Sequence, residues 1–99
     1  MDNLKAIVER EIRAYAGQGI NGEMYFTHSD DGAVMSLVFT GVVRGKTVSG
    51  TSILARVLDD SVVVLEDRTN KPLVDALVQA GVPRERIVLA YAGEAVETA

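Results

Sequence analysis

Apolar positions along the chain fall into two different periods. Leu4, Ile7, Val8, Ile12 and Tyr15 recur three and four residues apart, which predicts an amphipathic helix from about Leu4 to Ala16. Asn3 or Asp2 supplies a capping oxygen, Gly17 a stop, and Glu9 with Arg13 an i,i+4 ion pair on the solvent side. Beyond the Gly17–Gly22 break the period drops to two. Strands are predicted over Glu23–His28, Ala33–Val43, Lys46–Leu58 and Ser61–Glu66. The turns between them are Ser29-Asp30-Asp31-Gly32, Arg44-Gly45 and Asp59-Asp60, and the four strands make an antiparallel meander.

The helical period returns in the last third. Asn70 can cap, Pro72 suits a first turn, and Leu73, Val74, Leu77 and Val78 form the apolar stripe. Gly81 fits a left-handed position after the helix, Val82 can fold back onto Leu77, and Pro83 blocks continuation. A final strand follows from Ile87 to Tyr91. The connection from the fourth strand, roughly 20 residues, is long enough for a crossover, so this strand can run parallel to a meander strand. The fold class is therefore α+β: helix, four-stranded meander, helix, strand. It forms one domain over residues 1–99, with residues 93–99 expected to be a loose tail.

Register adds one inference about surfaces. A two-residue Arg44-Gly45 loop sets Phe39 opposite Gly50, where its ring can cover bare backbone. Met35, Leu37, Phe39, Val48 and Leu54 then share the face that the helices cover. The other face carries Val38, Thr51, Ile53, Val57, Val62 and Val64, and is too apolar to be wholly solvated. Two explanations stand side by side. Either a second protein covers that face, making Val38, Thr51, Ile53, Val62 and Val64 a partner surface, or a bulge near Gly50 resets the alternation.

Composition narrows the classes. Apolar residues at 47% and charged residues at 24% are globular values, which argues against disorder. With no cysteine there is no disulfide scaffold, thiolate metal site or thiol nucleophile. No apolar run approaches the ~20 residues of a membrane span. The start of the chain lacks the pattern of a secretion signal, so a cytoplasmic protein is expected. Fourteen acidic against ten scattered basic residues give a net charge of −4, which disfavours direct, unaided DNA binding.

Candidate chemistry is sparse. His28 is the one histidine, and Asp30 and Asp31 beside it are ordinary turn residues. Asp60, Glu66 and Arg68 or Lys71 loosely match the acid, then Glu-x-Lys, order of metal-dependent nucleases. Yet neighbouring strand residues point to opposite faces, and Asp59-Asp60 is a natural turn. The nuclease is thus the rival reading. No P-loop, G-x-G-x-x-G, G-x-S-x-G or H-E-x-x-H motif occurs, and few aromatics interleave with basic residues. No catalytic, metal or cofactor residue and no small-molecule substrate is assigned.

The run Leu65-Glu66-Asp67-Arg68-Thr69, then Leu73 through Gly81-Val82-Pro83-Arg84-Glu85-Arg86-Ile87-Val88-Leu89-Ala90-Tyr91, resembles the XisI family, the excision controlling factors of the fdxN element in cyanobacteria. Gly41-Val42-Val43-Arg44-Gly45-Lys46 and the strand after it are similar to that family's central hairpin, although the tryptophans common there are absent. The resemblance implies a non-catalytic accessory protein in programmed DNA excision. It would act through protein–protein contacts, with itself or with a XisH-like, nuclease-related protein; beside the nuclease, the other alternative is a structural or interaction domain that has lost the excision role.

Overall fold

The computed structural model describes residues 3–19 and 22–95. Helix α1 (Leu4–Arg13) opens the chain, followed by strands β1 (Gly17–Gln18), β2 (Gly22–His28), β3 (Val34–Val43), β4 (Lys46–Leu58) and β5 (Ser61–Asp67). Helix α2 (Leu73–Gln79) then leads through a 3-10 turn to β6 (Ile87–Leu89). All six strands form one sheet in sequence order. Every neighbouring pair is antiparallel except β5 and β6, which run parallel across the α2 crossover.

The meander therefore stands, with one strand more than expected. Gly17-Gln18, expected to be a break, pairs with Met24 and Glu23. Helix α1 ends at Arg13, because Tyr15 and Ala16 close 3-10 bonds onto Ile12 and Arg13. Of the two expected caps of α1, Asn3 does not act as one. Asn3 sits in left-handed conformation with no side-chain bond, and Asp2 lies outside the described residues. The final strand also stops at Leu89, where residues 90–92 turn into a 3-10 helix. Residues 93–95 of the expected tail are ordered into the fold, since the Glu94 N–H donates to the Leu89 carbonyl; residues 96–99 lie outside the described residues.

Packing explains the layers. Leu4, Val8 and Ile12 of α1 and Leu73 and Leu77 of α2 enter one apolar cluster with Met35, Leu37, Ile53, Ala55, Val62, Val64 and Ile87 of the sheet. Both helices thus cover the same face. Gly81 adopts φ 104°, letting the Val82 N–H reach the Leu77 carbonyl at 3.0 Å and sending Val82 into the core. The start of α2 is held from outside the helix. Asp67, at the end of β5, accepts hydrogen bonds from the N–H groups of Thr69 and Leu73 and from the Thr69 hydroxyl. That carboxylate, rather than Asn70, satisfies the helix's first free donor, and Pro72 precedes the helix instead of sitting in its first turn.

Two bulges set the sheet's registers. Leu37 pairs with Ile53 while Val38 pairs with Thr51, which leaves Ser52 as an extra residue in β4. Ala55 pairs with Val64 while Leu54 pairs with Glu66, which leaves Leu65 extra in β5. Of the two explanations for the apolar second face, the bulge is the one found, two residues beyond Gly50.

Candidate interaction surface

The bulge at Ser52 divides the five residues expected to share a partner surface. Ile53, Val62 and Val64 are completely buried under the helices, on the face of Leu37. Their placement on an outer face is corrected, because one inserted residue flips every later side chain of β4 across the sheet, and Val62 and Val64 follow through their pairing with Val57 and Ala55. Val38 and Thr51 precede the bulge. They lie directly opposite each other on the uncovered face and are half-buried. Leu54, expected beneath the helices, changes sides for the same reason.

The uncovered face is built from rows of cross-strand neighbours. Tyr25, Val38 and Thr51 make one row, with Tyr25 45% exposed. Thr27, Ser36, Leu54 and Glu66 make the next, and the Thr27 and Ser36 hydroxyls bond each other. Val34, Arg56, Val63 and Val88 make a third, in which Val63 is only 3% exposed. Near its far edge a groove of about 440 Å³ is lined by Leu58, Val63, Val88, Arg84 and Glu94. There Glu94 accepts from the Arg84 guanidinium at 2.7 Å and from the Leu89 N–H at 2.9 Å, and these bonds hold its carboxyl below the usual range. Small hydroxyls with scattered apolar side chains make a face that water tolerates and a protein can also cover.

Charge is unevenly divided between the body and the β3–β4 hairpin. Residues 32–58 hold Arg44, Lys46 and Arg56 and no acidic residue, a charge of +3. The rest of the chain holds seven basic and fourteen acidic residues, a charge of −7. The hairpin also outreaches its neighbours. Described β2 pairing begins at Gly22 opposite Gly41, and β5 ends at Asp67 opposite Ile53. Residues 42–47 form the two-stranded tip of an arm with Val42 and Val43 exposed, on a molecule 46 Å by 26 Å by 25 Å, while Val48–Thr51 pair with β3 residues that β2 also pairs. Phe39 does lie opposite Gly50, but its ring leans toward Gly22 instead. A Cβ on Gly22 would stand 2.9 Å from that ring, whereas one on Gly50 would meet nothing within 4 Å.

On the helix side, a groove of about 680 Å³ runs between the end of α1 and the start of α2, lined by Glu11, Tyr15, Lys71, Asp75 and Gln79 among others. The Tyr15 hydroxyl donates to the Lys71 carbonyl at 2.5 Å and ties the two ends together. Burial, then the nearby Asp67 carboxylate, raises its pKa above the ordinary phenol value.

The nuclease constellation does not assemble. Asp60 sits in the exposed β4–β5 turn, 3.9 Å from Arg86. Glu66 pairs with Arg68 at 3.0 Å at the far end of β5, roughly 20 Å away at ~3.3 Å per strand residue. His28 is exposed, with Nδ1 2.6 Å from its neighbour's carbonyl and its ring beside Phe26. Asp31 accepts from the Ser29 hydroxyl and the Ala33 N–H, which lowers its pKa and closes the turn. Among the described residues, no three His, Cys, Asp or Glu side chains group to hold a metal, and no helix is long and apolar enough to cross a membrane.

Two helices on one face of a six-stranded mixed sheet, with a protruding hairpin, place the protein in the α+β class and match known folds closely. The XisI protein family model matches residues 1–98, and the chain belongs to that family. A XisI-like protein from Anabaena variabilis superposes with a TM-score of 0.74 at 20% identity, covering 86% of this chain and 81% of its own. The fdxN element excision controlling factor XisI of the same organism superposes with a TM-score of 0.61 at 17% identity, covering 89% and 85%. No curated protein matches the chain.

Proposed function

We propose that this protein is a non-catalytic controlling factor for DNA excision, acting by covering the open face of its sheet with a protein partner. The observation that carries the reading is the uncovered Tyr25–Val38–Thr51 and Leu54 face beside an acid-free arm. Membership of a family with a member named as an excision controlling factor supplies the process. Acidic charge over the rest of the chain favours a partner protein over bare DNA, since neutralising phosphates needs a basic surface. The proposed partner is a XisH-like, nuclease-related protein, which would carry whatever chemistry the excision step needs.

Light scattering on the chain mixed with such a protein tests this directly. A complex heavier than either component is expected, and Val38→Asp should weaken it about tenfold or more by placing a charge inside a buried patch. Absence of a complex, or a complex indifferent to Val38→Asp and Tyr25→Asp alike, would contradict the reading. Ile53→Asp is no test of the surface, because that side chain is in the core.

A further inference from the structure

The arm leaves one edge of β4 without a partner strand. β5 pairs with β4 only as far as Ile53, and the Arg68 N–H reaches the Ser52 carbonyl, after which no described residue pairs with Lys46–Thr51 on that side. An unpaired strand edge that lacks proline and an inward-pointing charge is a template for another strand.

The hairpin geometry says which groups are offered. Arg44 at φ 52° and Gly45 at φ 77° make a two-residue turn, so Val43 and Lys46 are a hydrogen-bonded pair. Pairs then alternate along the unbroken register from Lys46 to Thr51. The backbone N–H and C=O of Thr47, Ser49 and Thr51 consequently point away from β3, toward the open edge.

We propose that this edge binds a second copy of the same chain, β4 against β4 in antiparallel order, with the two-fold axis at Val48. This rests on the protein-contact reading above but uses the edge of the arm, not the open face.

Three observations select that occupant. Register is the first. Two-fold pairing of edge-facing residues can centre on any residue from Thr47 to Thr51, and Val48 is the centre that pairs the most of them while each turn stays short of the partner's β5. A Ser49 centre sets Lys46 opposite the partner's Ser52, where Arg68 already stands. A Val48 centre pairs Thr47 with Ser49 in both directions, and each turn clears the end of β5. Charge is the second. The arm has no carboxylate to bury, and with Lys46 opposite the partner's Gly50 the two Lys46 residues lie four residues apart. That is about 14 Å, beyond the ~8–10 Å screening length. Gly50 is the third. Neither its φ nor close packing in its own chain calls for glycine, and Phe39 turns away from it. In the dimer its bare backbone receives the partner's Lys46 stem, while the two Val48 side chains meet across the axis.

Sedimentation equilibrium over a wide concentration range tests the proposal. The wild-type chain is expected to pass from 10.6 kDa to twice that mass. Val48→Lys, which sets like charges across the axis, should weaken the dimer about tenfold. Gly50→Val should also favour the monomer, and should leave the melting temperature unchanged at concentrations where the wild-type chain is itself monomeric, because its side chain enters open space. A wild-type chain that stays monomeric throughout, or a dimer that neither substitution weakens, would overturn the inference. A monomer that still binds its heterologous partner through Val38 would do so too, and would leave the proposed function intact.

Discussion

Two glycines and one carboxylate show how single residues shape this surface. Gly22 is required by contact, since a Cβ there would stand 2.2 Å from the Thr40 carbonyl oxygen and 2.7 Å from the Gly41 Cα. Backbone atoms cannot swing aside, so Gly22→Ala is expected to cost about 1–3 kcal/mol in urea unfolding. Gly50→Val, in open space, should cost nothing measurable in the same assay at concentrations where the chain is monomeric. Asp67 is the hinge between sheet and second helix. Asp67→Ala removes three accepted hydrogen bonds, one from the first N–H of α2, and should cost about 1–2 kcal/mol. An unchanged midpoint in that variant would mean that water replaces the carboxylate without loss. Nothing in the local pattern marked Asp67 as the cap, because it acts across six residues, whereas Asn70 had the expected spacing.

Among the elements, β4 decides which side chains meet a partner. Its helix-facing half was misplaced by one residue because period-two reading carries no signal for an inserted Ser52. Ser, Gly and Thr around it have side chains that suit either face. Sheet order, hairpin register at Arg44-Gly45 and the parallel last strand were all legible, since turn chemistry and crossover length specify them. The correction itself can be measured. Ile53→Ala should destabilise by about 2–5 kcal/mol, as a core truncation does, whereas Val38→Ala should stay well below that in the same denaturation. A second element, the C-terminal turn, is tied by Glu94. Its depressed folded-state pKa means that the stabilisation is complete above the unfolded value of about 4.3 and is lost as pH falls through the folded one. The protection factor of the Leu89 amide should therefore fall below about pH 4, and Arg84→Gln should move that onset upward.

At the scale of the whole molecule, an acidic body carries a positive arm and a sheet covered by helices on one side only. The candidate surface was half legible in the sequence. Val38 and Thr51 were found by alternation, whereas Tyr25, Leu54 and Val88 emerge only once bulges and pairing are known. A methyl-labelled NMR titration of the chain with a XisH-like protein shows which surface is covered. Val38, Leu54 and Val88 methyls on the open face are expected to shift or broaden, while those of Ile53, Val62 and Val64 in the core stay in place. A bound complex in which the open-face methyls are silent and the groove between α1 and α2 responds instead would contradict the proposed function.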